Sequence, residues 1–335
     1  MLRALVLLAL VLSCPTRPAT AVDLDTIGQL LRTEVLTPLY GGYADAAGQL
    51  AEVQPDCAGD WRAAMRPAFV ASLLAWGRLQ AVGIGPAASP ETSARVYFWP
   101  DKHGTATRQL GAALRDRPAK LETAAGLAGQ SAGLQSLAAL ELVLYGDLPD
   151  GADGFACRYA QAIADFQTEL AAGMGRDFAA DPTAGATLAP ALLTGMQTTL
   201  DTIIQLDLDR PLGSDLAAAR GERARAWRSN QSLPLIGAAI DTVEAVYTAP
   251  GGFSAAIVAS AELAAFDAVL RRHLELARDA IAAVPVPLPQ AVADPAARLQ
   301  VEQLKEEIAS VRRLLVERLA PALGLAAGFN AMDGD

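Results

Sequence analysis

Apolar positions along this chain recur with the helical period of about 3.6 residues, and that period dominates from end to end. Residues 24–53 read as a helix broken near Pro38 and Gly41-Gly42. A second helix is expected over 60–82, with Met65, Phe69, Leu73, Trp76 and Leu79 on one stripe. It stops at the Gly83-Ile84-Gly85-Pro86 breaker. The segment 89–104 is the least helical and the most aromatic of the chain. Helices are expected again over 105–116, 131–145 and 153–178, and, after the Asp181-Pro182 break, over 188–206, 215–227, 233–247 and 253–283. The Pro285–Pro289 run reads as an extended connector. A last helix from Pro295 to about Leu323 carries a stripe that includes Leu299, Val301, Leu304, Ile308, Val311 and Leu315, with Asp294 as N-cap before an N1 proline. The prediction is an all-α protein of two helical-bundle domains, residues 22–180 and 181–335, after a signal peptide at 1–21.

Composition supports the helical reading. Of 335 residues, 52% are hydrophobic but only 5% aromatic, and much of the apolar share is alanine, which loses no side-chain entropy in a helix. A formal net charge of −10 with no offsetting basic patch argues against nucleic acid and against an anionic membrane surface, and favours cations as ligands. Arg3 followed by the apolar Leu5–Leu12 run forms a targeting segment too short to span a bilayer. Two exits are open. Ala19-Thr20-Ala21 is a small-x-small cleavage site that would release a chain starting at Val22. Alternatively, Val11-Leu12-Ser13-Cys14 resembles a lipobox, and lipidation at Cys14 would then anchor the protein to a membrane. Either exit leads to the cell envelope. If Cys14 leaves, Cys57 and Cys157 remain, and an even count in an oxidising compartment predicts a disulfide; two buried thiols are the alternative.

Few residues offer chemistry. There are two histidines, no HExxH and no phosphate loop. Gly129-Gln130-Ser131-Ala132-Gly133 matches G-x-S-x-G, but its helical surroundings make Ser131 a helix start rather than a nucleophile. His103 falls in a polar loop, where a ligand role is the lesser reading, and His273 on a charged helix face. Tyr97-Phe98-Trp99 followed by Asp101 puts aromatic and charged residues together in a loop, the usual place for a binding element. Glu141 is the most informative carboxylate, because it lies in the otherwise apolar run Leu137–Tyr145 and a buried carboxylate needs a partner. That partner is either an internal arginine such as Arg95 or Arg228, or a bound ligand.

These segments, in this order, resemble the imelysin family. The resemblance rests on Arg66–Phe69 through Trp76, the Arg95–Asp101 block, Gln135–Tyr145, Ala226–Ser229 and the closing Leu323–Asp335. It implies two four-helix-bundle-like domains related by pseudo-symmetry, a site in the cleft between them, a periplasmic location and an association with iron uptake. Founding members are described as metallopeptidases with a G-x-H-x-x-E motif. Aligned on Glu141, Ser136 stands at the glycine and Ala138 at the histidine. The expected function is therefore a non-catalytic binding or accessory protein for iron or another metal, with a degenerate metallopeptidase as the alternative. Expected ligand-binding residues are Glu141, Asp101, Tyr97, Trp99, Arg95, Arg228 and Trp76. The expected metal ligands are Glu141 and Asp101, with His103 a weaker third; no catalytic residue is assigned. A metal cation such as iron is the expected cofactor or cargo, not needed for folding. The expected partners are that ion or a small ligand and other envelope iron-uptake proteins.

Envelope-purified protein should have the intact mass of a chain beginning at Val22. An acylated N-terminus at Cys14 would show that the lipobox is used instead.

Overall fold

A computed structural model describes residues 22–258 and 261–325. The targeting segment with Cys14, and the end of the Leu323–Asp335 block, lie outside the described residues. Those residues are all-helical, with no strand among them. The principal helices are α1 (Leu24–Leu31), α2 (Thr37–Glu52), α3 (Trp61–Gln80), α4 (Pro90–Val96), α5 (Thr105–Asp116), α6 (Leu137–Tyr145) and α7 (Asp153–Ala180). They are followed by α8 (Gly185–Thr202), α9 (Ser232–Thr248), α10 (Ala261–Ala283) and α11 (Pro295–Leu314). No helix among the described residues is long and apolar enough to cross a membrane.

Local chemistry sets most of the helix starts. Asp23, Asp60 and Asp294 each accept a hydrogen bond from a first-turn backbone N–H of α1, α3 and α11. The expected stripe of α3 is the buried one, with Met65, Phe69, Leu73 and Leu79 fully covered. In α11 the buried stripe is Ala297, Val301, Leu304, Ile308 and Val311, while Leu299 is 65% exposed. Leu299 is two positions, about 200°, from Ala297, so it faces away. His273 is half-buried, with Nδ1 2.9 Å from a Glu307 carboxylate oxygen, not a free surface residue.

The breaks expected at prolines take an unexpected form. Residues 24–52 run on as one helical rod: α1 passes through a π turn at Arg32–Leu36 directly into α2, with Gly41 and Gly42 inside it. Two further π turns, Ile203–Asp209 after α8 and Leu315–Leu319 after α11, have the same sequel, since each is followed two residues later by a proline: Pro38, Pro211 and Pro321. A proline inside a helix has no N–H to give and crowds the carbonyl four residues back. A widened turn just before it relieves that crowding and lets the rod continue.

Other departures have local causes. The expected 131–145 helix is interrupted at Ser136, whose extended backbone and side chain, accepting from Ala139 N, start α6 afresh. The aromatic segment is helical over Pro90–Val96 and turns extended only at Tyr97. The expected helix at 215–227 is absent; only two short 3₁₀ turns, Leu216–Ala218 and Gly221–Arg223, form there.

The two halves of the chain meet through one continuous apolar core. Helix α1 lies across α8, and α3 packs on α9. At the first crossing Gly28 and Gly185 touch backbone to backbone, so a Cβ on either would collide with the other strand of the crossing. Gly83, at φ +63°, meets Gly195 in the same way. Both contacts bring the chain before residue 181 against the chain after it.

Cys57, in the turn before α3, is joined to Cys157 in α7, with Cα atoms 5.6 Å apart. The bridge closes a separation of 100 residues, and a loop of that length contributes about 4–5 kcal/mol by the chain-entropy account. Denatured but unreduced mature protein should therefore show no titratable thiol, and reduction should lower its unfolding midpoint. Two free thiols would contradict the bridge.

Candidate functional site

The site begins where α4 ends. Tyr97 leaves the helix in an extended conformation (φ −143°, ψ 96°), and the chain continues through a cis Trp99–Pro100 bond to Asp101. This strand of backbone lies between α6, which carries Glu141, and the irregular segment 213–231.

Glu141 is 2% exposed, and its partners are neutral. Tyr97 donates its hydroxyl to Oε2 at 2.8 Å. Ser229 donates both its backbone N–H and its Oγ–H to Oε1, each at 2.8 Å. The Tyr97 oxygen in turn accepts from the Ala226 N–H at 3.0 Å. Burial, then the adjacent Glu141 carboxylate, pushes the Tyr97 phenol well above its ordinary range, so it remains an O–H donor. These bonds hold the 226–229 turn in place. Ala226 (φ 53°) and Asn230 (φ 59°) both adopt the left-handed conformation, unusual for non-glycine residues, and two cross-bonds, Gln231 N to Ala226 O and Ser232 Oγ to Arg225 O, close the turn. Of the two partners open to Glu141, an internal arginine or a bound ligand, the arginine is not the one that pairs with it. Arg95 instead donates to Gln135 Oε1 at 3.0 Å and lies over Phe166, while Arg228 lies over the Trp227 ring at 4.3 Å. Backbone and hydroxyl donors reach the carboxylate first because the 226–229 turn folds directly onto it.

A second buried polar group flanks the first. Arg225 forms an ion pair with Asp207 at 2.7 Å and donates to Gln80 Oε1 at 2.9 Å. Burial pushes the Asp207 carboxyl up, against the downward pull of Arg225. Asp207 sits on the π turn after α8, and Arg210 follows one residue beyond that turn. The guanidinium carbons of Arg225 and Arg210 lie 5.5 and 5.7 Å from the Trp99 ring centre, within cation–π range.

Two cavities adjoin here. One, of about 260 Å³, is lined by Gln80, Ser93, Thr199, Thr202, Ile203 and Arg225 among others. The other, of about 250 Å³, is lined by Asp101, Ala138, Glu141, Arg210, Trp227 and Arg228 among others. Tyr97 and Trp99 line both.

Five of the residues expected from the sequence, Tyr97, Trp99, Asp101, Glu141 and Arg228, thus converge on one cleft. Arg95 borders a different surface pocket beside Gln135. Trp76 is a core residue, 1% exposed, with its ring 5.4 Å from Tyr43. Asp101 accepts from the Thr107 N–H and hydroxyl, both at 3.0 Å. Burial acts to raise its carboxyl, but these hydrogen bonds outweigh it and hold the group below its ordinary value. His103 is exposed, its carbonyl accepting from Arg108. Of the expected metal ligands, Glu141 and Asp101 line the same cleft, and His103 is not among its lining residues. Among the described residues no group of three His, Cys, Asp or Glu side chains is placed to hold a metal ion. Glu141 and Asp101 each already serve protein donors.

Sequence reasoning missed Arg225, Asp207, Arg210 and Gln80. Asp207 carried the same signal as Glu141, a carboxylate among apolar neighbours in Ile203–Leu208. Arg225 is hidden when 215–227 is read as a helix.

Comparison with known proteins agrees with this architecture. The imelysin family profile matches residues 37–315. The crystal structure of an imelysin-like protein from Psychrobacter arcticum 273-4 superposes with a TM-score of 0.78 at 21% identity, covering 92% of this chain and 99% of that one. An iron-regulated protein A precursor from Parabacteroides distasonis ATCC 8503 superposes with a TM-score of 0.70 at 13% identity, covering 90% and 95%. No curated protein matches the chain. With the profile spanning most of its length, the chain belongs to the imelysin family.

Proposed function

We propose that this is an exported, non-catalytic binding or accessory protein of iron or other metal uptake, with its ligand in the cleft between the Tyr97–Asp101 segment, α6 and the 222–228 turn. The observation that carries the reading is the commitment of Glu141. A general base or metal ligand needs a carboxylate oxygen directed at the reacting group or ion. Here Oε1 accepts two hydrogen bonds and Oε2 one, all from the protein, and the carboxylate works as a clamp on the cleft wall. Beside it, Ala138 brings a methyl group to the cleft at the position where the family motif would place a histidine. A methyl group neither ligates nor transfers protons.

Three further observations support the rest of the reading. The apolar segment at 5–12 fits export, the Cys57–Cys157 bridge suits an oxidising compartment, and one structural neighbour is named for iron regulation.

The test has two arms. Tag-free protein incubated with unstructured peptides and zinc, iron or manganese should give no turnover above a Glu141→Gln control, which keeps an acceptor for Ser229. Native mass spectrometry of envelope-purified protein should show a small molecule or metal species retained at unit stoichiometry. Metal-dependent peptide cleavage that disappears in Glu141→Gln would overturn the proposal.

A further inference from the structure

Resting on the binding-protein reading above, we infer that the cleft beside Glu141 takes a small multivalent anion of the carboxylate or phosphate class, so that any metal carried here arrives as an anionic chelate and not as a bare cation. The argument starts from where the arginines of this acidic chain place their donors. Half-buried guanidinium groups need acceptors, because a desolvated charge without one is costly. Nearly all of them have one. Arg32, Arg66, Arg95, Arg225 and Arg298 all donate to a carbonyl or carboxylate oxygen. Arg62, Arg271, Arg278 and Arg312 likewise each have at least one acceptor or ion-pair partner. Among the described residues the half-buried arginines without a hydrogen-bond acceptor or ion-pair partner are Arg210 and Arg228, and both line this one cleft. Arg62, Arg210, Arg225 and Arg312 each have one buried guanidinium nitrogen without a hydrogen-bond partner, and of these only Arg210 has no acceptor or ion-pair partner either. The guanidinium groups of Arg210 and Arg228 lie over aromatic rings, Trp99 and Trp227, which orient them without using their N–H donors. Exposed Arg223 lines the same cleft.

The carboxylates that line the cleft do not pair with these donors. Glu141 is held by Tyr97 and Ser229, Asp101 by Thr107, and Glu222 is exposed. What remains is a set of forked N–H donors held on an aromatic floor, in a space of about 250 Å³ suited to a small molecule. Guanidinium forks match carboxylate and phosphate oxygens in pairs. A bare cation would meet three guanidinium groups, and of the carboxylates that line the cleft Glu141 and Asp101 already accept from protein donors, which leaves exposed Glu222 alone to coordinate it.

Mature full-length protein is titrated with citrate, ferric citrate and manganese(II) alone, followed by calorimetry and tryptophan fluorescence. Citrate and its ferric chelate should bind at one site, more weakly as salt rises. Arg228→Gln and Arg223→Gln should each weaken binding about tenfold, with the melting temperature unchanged because both side chains lie at the surface of the cleft. Trp99→Phe should remove most of the fluorescence response. Manganese(II) binding that is indifferent to the arginine substitutions would overturn the inference, and so would failure of both citrate species to bind. If native mass spectrometry still finds a retained species in that second case, the anion assignment falls and the binding-protein reading stands.

Discussion

A carboxylate sealed inside a helical protein constrains everything near it. Glu141 sits in the apolar middle of α6, and no arginine reaches it; a phenol, a hydroxyl and one backbone N–H do. Leaving a buried group of this kind without partners would cost several kcal/mol. The sequence around it is arranged to prevent that. Tyr97 must leave α4 extended to point its hydroxyl at Oε2, and the 226–229 turn, with left-handed Ala226 at its start and left-handed Asn230 just after it, brings Ser229 to Oε1. The cleft is the space left between the elements that these bonds hold together. Because Tyr97 and Glu141 come from the first half of the chain and Ser229 from the second, the clamp also ties the halves together, alongside the glycine crossings at Gly28–Gly185 and Gly83–Gly195.

The second organising feature is the mismatch between global and local charge. A net charge of −10 favours cationic partners at long range, yet the cleft is where the half-buried arginines without acceptors gather. Trp99 helps to make this possible. Its ring lies within range of both Arg210 and Arg225, and it lines both cavities, so one indole supports the guanidinium of the open cleft and that of the buried Arg225–Asp207 pair. Long-range acidity and a cleft that presents unpaired guanidinium groups are compatible because surface charges are screened within about 10 Å of salt solution, whereas a half-buried group acts at contact distance.

Much of the fold was legible because it follows periodicity: the α3 stripe, the Asp294 cap and most helix spans sit where apolar spacing and capping chemistry put them. The three proline positions were legible as disturbances but not as π turns, since the choice between breaking a helix and widening it depends on what the rod packs against. In the site, Glu141, Tyr97, Trp99, Asp101 and Arg228 could be singled out because charged or aromatic side chains in unsuitable surroundings stand out in a sequence. Arg225 and Arg210 could not. Arginines are ordinary on a helix surface, and only the irregular path of 213–231 brings them to Trp99. That Ser229 would donate to Glu141 was equally hidden, because a backbone N–H leaves no mark in a sequence.

The central claim is that Glu141 pins the 226–229 turn, and amide hydrogen exchange at Ser229 tests it most directly. In Glu141→Ala protein the Ser229 amide loses its acceptor, so its protection should fall by about tenfold or more, while amides in the middle of α11 keep theirs. Unchanged exchange at Ser229 would contradict the account.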